Sequence, residues 1–375
     1  MIKTLIDKLI YYTTVIVLII SLPLLVLTKI LRSKKKLVCF YYIPQNVFNV
    51  DRFEKHAKHL TDDFKIVYSM TMLEFNRYNQ CQGHFQYFYL NLKICLVAVI
   101  RLFKYSNYNN FWIQRRFIAH YDFPSNIFEW CIKLLKINLI MDYYDADILR
   151  NEKLYSKLGK ISNHITVSNE NLKAIYTPIC DSVLVIPLKI NESNYSMIKE
   201  YDKKIIVGWM GSESNSKGLE YHENNLIEFK KLFPQIQFEF ICSKRPNLTK
   251  LNFKHFTFEE IQFSTWISSI TFGLSLYDCP TDSLKRQYLK CKSPFKTLEY
   301  LFTKTIVISD EFGTYHGMKK YIHFLPIDEL KTEKFSNEIN SILKNRLMSP
   351  LINNGAEFYE NMNKNNKEQL VKLIV

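Results

Sequence analysis

Glycine is scarce in this chain: 9 residues in 375. That excludes collagen-like repeats and linker-rich designs, and it leaves few places for a glycine-rich phosphate loop. Neither a GxGxxG fingerprint nor a Walker sequence occurs, so the usual sequence marks of dinucleotide and nucleoside triphosphate sites are missing. None of the eight cysteines (39, 81, 95, 131, 180, 242, 279, 291) forms a CxxC pair, and no Cys/His run has zinc spacing. Most lie in apolar contexts such as LVCFYY and FICS, the setting of buried reduced thiols, which fits a cytoplasmic location. Fixed short-period repeats are absent as well.

What is present is a folding composition, 47% hydrophobic and 23% charged, with length for two or three domains. Lys and Arg number 50 against 36 Asp and Glu, a net charge of +14. Such an excess points to an anionic partner: nucleic acid, anionic lipid or a phosphorylated substrate. Nucleic acid is disfavoured, because no helix-turn-helix, zinc or base-stacking signature accompanies the charge.

Leu9–Thr28 is an uncharged run of twenty residues, about 30 Å as a helix, the thickness of a bilayer core. Pro23 is tolerated in membrane helices, and Tyr11 and Tyr12 suit an interface. No small-x-small cleavage site follows, which speaks against a signal peptide. The run lacks the polar face of a helix lying in the interface. A spanning or deeply inserted anchor is expected. Lys29, Arg32, Lys34, Lys35 and Lys36 follow it, so the positive-inside rule puts the rest of the chain on the cytoplasmic face, and the same cluster suits anionic head groups. Glycosylation sequons at Asn191, Asn194 and Asn247 would then be accidental.

Beyond the anchor, apolar runs alternate with helical segments. Strands are expected at 36–43, 64–69, 111–114, 137–142, 165–168 and 183–187, with helices at 53–60, 85–105 and 127–136. The 85–105 segment reads as a buried helix, since Lys93 and Arg101 interrupt a second span. Residues 189–204 are polar and read as a linker. A second series follows: strands at 204–210, 237–242, 272–277 and 305–309, helices at 224–233, 262–270 and 294–302. The tail from 327 reads as helices broken near Ser349-Pro350 and Asn353-Asn354-Gly355. Near-continuous apolar strands interleaved with helices indicate parallel sheets covered on both faces. The expected division is an anchor and basic collar (1–36), an α/β domain (37–190), a second α/β domain (191–326) and a helical tail (327–375).

Three sequence stretches carry chemistry. Val207-Gly-Trp-Met-Gly-Ser212 ends a strand; it is either a plain turn or a place where the backbone N–H groups of Gly211, Ser212 and Glu213 face a phosphate. Leu276-Tyr-Asp-Cys-Pro280 closes another strand, and LKCKSPFKTLEY (289–300) follows. There Lys292 and Lys296 sit at a helix start, a seat for a diphosphate, and Glu299 one turn on can accept from ribose hydroxyls. The plainer reading is an i,i+3 ion pair. Ile113-Gln-Arg-Arg116 follows a strand, and Asp142, Asp145 and Asp147 end the next. These carboxylates are able to bind metal, orient sugar hydroxyls or cap a helix; metal is the weakest of the three, for want of a second acidic cluster.

In order and spacing this set resembles glycosyltransferase family 4, whose architecture is two Rossmann-like domains (GT-B). The resemblance is to bacterial members that read IQR-E, YDFDDA, IGWIGS and K-x-x-x-K-x-x-EYMA-G-x-PVV. Here the counterparts are IQRR (113–116, with Glu129 further on), DYYDAD (142–147), VGWMGS (207–212) and KSPFKTLEYLFTKTIVIS (292–309). Val167-Ser-Asn-Glu-Asn-Leu172 and Val185-Ile-Pro187 are similar to landmarks at the end of the first domain. The match covers most of residues 36–325. It implies a retaining transferase that takes a nucleotide-diphosphate sugar and needs no divalent metal or other cofactor. Gly211, Ser212, Lys217, Asp278, Lys292, Lys296 and Glu299 would bind the donor, the two helix lysines neutralising the diphosphate. Arg115, Asp142 and Asp145 would be catalytic, facing sugar and acceptor. The anchor suggests a lipid-linked or polysaccharide-precursor acceptor, with membrane lipids as further partners. Departures are plain: Cys291 stands where many members have glutamate, and Phe302, Thr303 and Lys304 replace the small residues and glycine after "EY". Met210 lies where a phosphate-binding arginine is usual, with Lys217-Gly218 as a partial substitute. The rival expectation is an inactive copy of the fold that serves as a membrane-tethered scaffold.

Overall fold

A computed structural model of the chain describes residues 2–42, 50–51, 53–81, 83–118, 125–190, 195, 204–278, 281–293, 295–310, 312, 333–344 and a scatter of helical residues from 357 to 374. The expected linker lies largely outside the described residues, as do the expected breaks near 349–350 and 353–355. The chain divides into two compact units, Met1–Lys189 with Asn366–Val375, and Ile190–Asn365.

The first unit runs α1 (Ile2–Leu31), β1 (Lys35–Tyr41), β2 (Val50–Asp51), α2 (Glu54–Leu60), β3 (Phe64–Tyr68), α3 (Met72–Asn79), α4 (His84–Tyr105), β4 (Tyr108–Gln114), α5 (Ile127–Leu134), β5 (Asn138–Tyr143), α6 (Glu152–Ile161), β6 (His164–Val167), α7 (Glu170–Tyr176) and β7 (Val183–Val185). The two-residue strand β8 (Lys189–Ile190) falls at the division. The second unit runs β9 (Ile205–Met210), α8 (Lys217–Tyr221), α9 (Glu223–Leu232), β10 (Ile236–Ile241), β11 (Lys254–Phe256), α10 (Phe263–Ser269), β12 (Phe272–Ser275), α11 (Ser283–Lys290), α12 (Phe295–Phe302), β13 (Ile306–Ser309) and α13 (Glu333–Lys344).

The first sheet has the order β3-β1-β4-β5-β6-β7, and its neighbours are all parallel. The second has the order β11-β10-β9-β12-β13, again parallel throughout. Helices cover parallel sheets on both faces, so successive strand residues are buried whichever way they point. Phe111, Trp112 and Ile113 on β4 illustrate this, as do Leu139, Ile140 and Met141 on β5. The chain order reverses once in each sheet, between β1 and β4 and between β9 and β12. At such a switch point the connections leave in opposite directions and open a crevice beyond the carboxyl ends of the two strands.

Helices α3, α6, α7 and α11 have side-chain caps. Thr71 and Glu74 form a reciprocal capping box on α3. Asn151, Asn169 and Asp282 accept from the backbone N–H of Leu154, Leu172 and Lys285. Each cap satisfies a donor that the helix start leaves open. One sequence expectation needs correction: α4 is not buried all round. Its Asn91, Cys95, Ala98 and Leu102 are inside, while Phe85 is 82% and Ile100 62% exposed. A helix flanking a sheet buries one stripe, and α4 is apolar on the other side as well. The last residues return to the first unit, where Leu370 and Leu373 join Leu37, Trp112 and Ile140 in its core.

Helix α12 lies on its sheet through Tyr300, whose ring covers Gly273; a Cβ there would meet ring atoms at 2.5 Å. The helix ends in a paired cap: Thr305 N–H donates to Tyr300 O at 2.7 Å and Lys304 N–H to Leu301 O at 3.0 Å. Lys304 takes the left-handed conformation this cap requires, φ 57°, where glycine is the usual residue. The glycine of the family pattern is thus replaced without loss of the cap. Lys304→Gly is expected to stabilise the protein by about 1 kcal/mol, since a side chain at positive φ costs about 1–2 kcal/mol. Gly273→Ala is expected to destabilise it by about 1–3 kcal/mol through overpacking, and Gly273→Ala with Tyr300→Leu to regain part of that. Urea unfolding of the three variants checks both statements.

Candidate functional site

In the first unit, Arg115 leaves the end of β4 at the switch point. Its backbone is left-handed, φ 61°, and its N–H donates to Asp142 O at 2.9 Å. Positive φ in a non-glycine residue is strained, and such strain clusters at functional sites. The turn aims the guanidinium at the loop after β5. Its Nη2 lies 2.8 Å from Asp145 Oδ2 and its Nε 3.0 Å from Asp147 Oδ2. It also stands 4.7 Å from the centre of the Tyr144 ring and 5.8 Å from that of Tyr42. Tyr42 sits just after β1, its N–H bonded to Gln114 Oε1 at 3.1 Å. Both strands of the switch point therefore contribute to the arginine's seat. Burial pushes the Asp147 carboxyl up to about 6, against the pull of Arg115.

The three carboxylates of this loop do not converge. Asp145 and Asp147 pair with Arg115, whereas Asp142 is fully buried and accepts from Thr166 on β6, which in turn accepts from Trp112 Nε1 at 3.0 Å. Asp142 thus ties β5 to β6 and holds the strand from which the loop departs. Glu129 is buried and accepts from Phe117 N–H at 2.9 Å.

In the second unit the carboxyl ends of β9 and β12 flank the switch point. Gly211 follows β9, and its N–H donates to Ile241 O at 3.0 Å. That corrects one sequence expectation: this N–H extends the sheet and does not face a phosphate. The reason for glycine is space. A Cβ at 211 would stand 2.7 Å from the Trp209 ring and 2.9 Å from Lys296 Nζ. Ser212 then opens a short turn, where Asn215 Nδ2 donates to its hydroxyl at 2.8 Å. Lys292 Nζ reaches the same turn, donating to Asn215 Oδ1 at 2.9 Å, and lies 5.3 Å from the Tyr277 ring centre.

Lys296, on the first turn of α12, points inward. Part of its stem is exposed, but Nζ is buried with no hydrogen-bond partner and lies 4.6 Å from the centre of the Trp209 ring. Trp209 Nε1 is likewise buried without a partner. Burial pulls the Lys296 ammonium down to about 7, with Lys292 adding to the effect. Burial also pushes the Glu299 carboxyl up to about 8, although Tyr195 donates a hydrogen bond to its Oε1. Lys296 and Glu299 are therefore not the exposed ion pair of the plainer sequence reading. A buried donor left unmade costs free energy. The Lys296 ammonium, beside Gly211, is a buried donor of the kind that suits an anion's oxygen.

Gly211, Ser212, Lys292, Lys296 and Glu299 are thus held by β9, the turn after it and α12. Lys217 is exposed at the start of α8, and Asp278 is held by Lys285 of α11. Gly218 serves packing: a Cβ there would be 2.4 Å from Leu276 O. The position of the family glutamate holds the buried Cys291, whose thiol burial pushes up to about 11. Each unit also brings in residues not singled out from sequence. Tyr144 in the first unit and Trp209 in the second lie inside the quoted motifs, while Tyr42 lies in none. Tyr195 lies in the polar segment and had no signal.

No family model and no curated protein matches the sequence. Solved structures do resemble it in fold. A glycosyltransferase from Rickettsia africae superposes with a TM-score of 0.56 at 13% identity, covering 91% of this chain and 97% of that one. An alpha,alpha-trehalose 6-phosphate synthase from Burkholderia multivorans gives 0.52 at 9% identity, covering 91% and 95%. An E. coli structure described as trehalose-6-phosphate bound with UDP-2-fluoro glucose gives 0.50 at 9% identity, covering 90% and 97%. The fold is accordingly of the GT-B class, two Rossmann-like α/β units with an apolar helix ahead of them.

An unfolded chain protonates Lys296 at its ordinary 10.5, the folded chain near 7. The unfolded state then binds more protons between these values, so stability is lost as pH falls from 10.5 toward 7. Lys296→Met removes that loss. It is expected to raise stability at pH 7 by about 1–2 kcal/mol while abolishing nucleoside diphosphate binding, as read by thermal unfolding and calorimetry on one sample. A lysine kept for packing would show the reverse.

Proposed function

We propose that this chain is a glycosyltransferase that moves a sugar, with retention, from a nucleotide-diphosphate sugar to a lipid-linked or polysaccharide-precursor acceptor. It works on the cytoplasmic face of a membrane to which its N-terminal helix holds it. The observation that carries this reading is the buried, unpartnered Lys296 ammonium against Gly211, at the switch point of a sheet in a transferase fold. Support for the donor class comes from the similar structure bound with UDP-2-fluoro glucose. The sequence resemblance supports retention.

The chemistry asked of the second unit is electrostatic. When the bond between the sugar's anomeric carbon and the diphosphate breaks, the electron pair leaves with the phosphate oxygen. Lys296 and Lys292 neutralise that charge without reorganising, which is worth more in a site closed to water. The acceptor hydroxyl adds to the anomeric carbon, and its proton passes to the departing phosphate. The two lysines carry the neutralisation, and no metal enters the reaction as proposed. In the first unit, Arg115 is held in one rotamer by Asp145 and Asp147 for contact with the sugar or acceptor. Asp142 acts through the sheet beneath it.

A panel of nucleotide sugars, assayed for hydrolysis and for protection against heat, tests the reading. UDP or GDP is expected to bind in the micromolar to millimolar range usual for substrates, and turnover to persist in EDTA. Affinity is expected to be flat below about pH 6.5 and to fall above 7, by up to about one log unit per pH unit. The sign follows from Lys296, which must gain a proton to meet the anion, and from Glu299, which adds negative charge as pH passes 8. If a folded sample bound no nucleoside diphosphate at any pH, the donor assignment would fall and the scaffold reading would replace it.

A further inference from the structure

We infer that α1 does not cross the membrane but lies flat in one leaflet, and that α4 lies beside it as a second lipid-facing helix. This rests on the membrane attachment in the reading above, and changes its geometry. Helix α1 is strapped to the first unit along most of its length. Near its start Asp7 accepts from Tyr87 of α4 at 2.9 Å. In its middle the Thr14 hydroxyl faces the Cys95 thiol. At its end Arg32 Nη1 donates to Phe103 O at 3.0 Å, and Lys29 bonds to Leu135 O beyond α5. Ile10, Thr14, Leu18 and Leu25 form the buried stripe between these points.

Asp7 to Arg32 is a distance of about 37 Å along the helix, so the strapped stretch is as long as a bilayer core is thick. Helix α4 cannot follow α1 upright into hydrocarbon. Its Arg101 donates to Tyr68 O and Ser69 O at the end of β3, and Lys93 pairs with Glu74 of α3 at 2.8 Å. These groups belong to the water-facing body of the unit. With both helices held side by side against that body, the lipid must come to their outer faces. Those faces are apolar: Leu9, Tyr12, Ile16, Ile20 and Leu27 on α1, and Phe85, Tyr89, Leu96 and Ile100 on α4 are all exposed. Lys93 interrupts the α4 stripe, with a stem long enough to carry its charge to the edge. Arg32, Lys34, Lys35 and Lys36 follow α1, and Lys104 ends the α4 stripe. An apolar face with a cationic border fits one leaflet of an anionic bilayer.

The test uses the full chain, carrying a protease-cleavable tag before Met1, bound to the outside of sealed vesicles of phosphatidylcholine and phosphatidylglycerol. The tag and the first unit are expected on the same side, both cut by added protease. Leu96→Glu with Ile100→Glu, at exposed positions outside the buried core, is expected to lower the vesicle-bound fraction on the order of tenfold. Thermal unfolding and UDP binding of this variant are expected to stay as in the parent, so a failure here leaves the donor reading intact. A tag protected inside the vesicles, or a bound fraction indifferent to the two glutamates, overturns the inference.

Discussion

Parallel strand pairing is the constraint from which the rest of this structure follows. Strands that all run one way must all end on one edge, and every return must pass over a face of the sheet. The faces are thereby covered and apolar, and the carboxyl edge is where polar chain ends gather. Where the order of connections reverses, that edge cannot be closed by packing. Arg115 stands at one such point and Gly211 at the other. Two sheets of unlike sequence thus present their unusual residues at the same topological position. At one a cation is strained and clamped; at the other a cation is buried and unclamped.

The contrast between the two cations is informative. Arg115 is held by two carboxylates and two tyrosine rings, so its charge is already compensated within the protein. Lys296 has an aromatic face and no hydrogen-bond partner for its ammonium. A folded protein gains nothing by leaving an ammonium in that condition. Under the function proposed above, that cost is offset when the donor's diphosphate arrives, and it then appears as binding energy.

Much of this was legible in the sequence, for physical reasons that differ by element. The strands showed as near-continuous apolar runs because both faces of a parallel sheet are covered. The core helices α5, α9 and α12 showed through their periodicity. Helices α3, α6, α7 and α11 went unread from sequence, although Thr71, Asn151, Asn169 and Asp282, whose side chains cap the backbone, mark their starts and α6 carries an apolar stripe at Leu154, Tyr155 and Leu158. The motif around Gly211 was visible, but sequence left a plain turn and a phosphate-facing backbone both open, and the structure spends the Gly211 N–H on Ile241. Sequence spacing gives proximity along the chain and cannot say which partner a backbone group chooses. The contact between Tyr195 and Glu299 was beyond reach for the same reason, with 104 residues between them.

The return of the chain's last segment to the first unit sets the order in which the protein can be finished. Leu370 and Leu373 are wholly enclosed in the core that Leu37 and Trp112 begin, and Asn138 donates to Leu373 O across 235 residues. During synthesis the first sheet can pair its strands long before these residues exist, but it cannot seal its interior. The second unit has every residue of its own sheet before the first unit has its final ones. The amino-terminal half of the molecule is therefore completed last, and its apolar floor stays open to other surfaces for the whole time that the ribosome takes to make the other half.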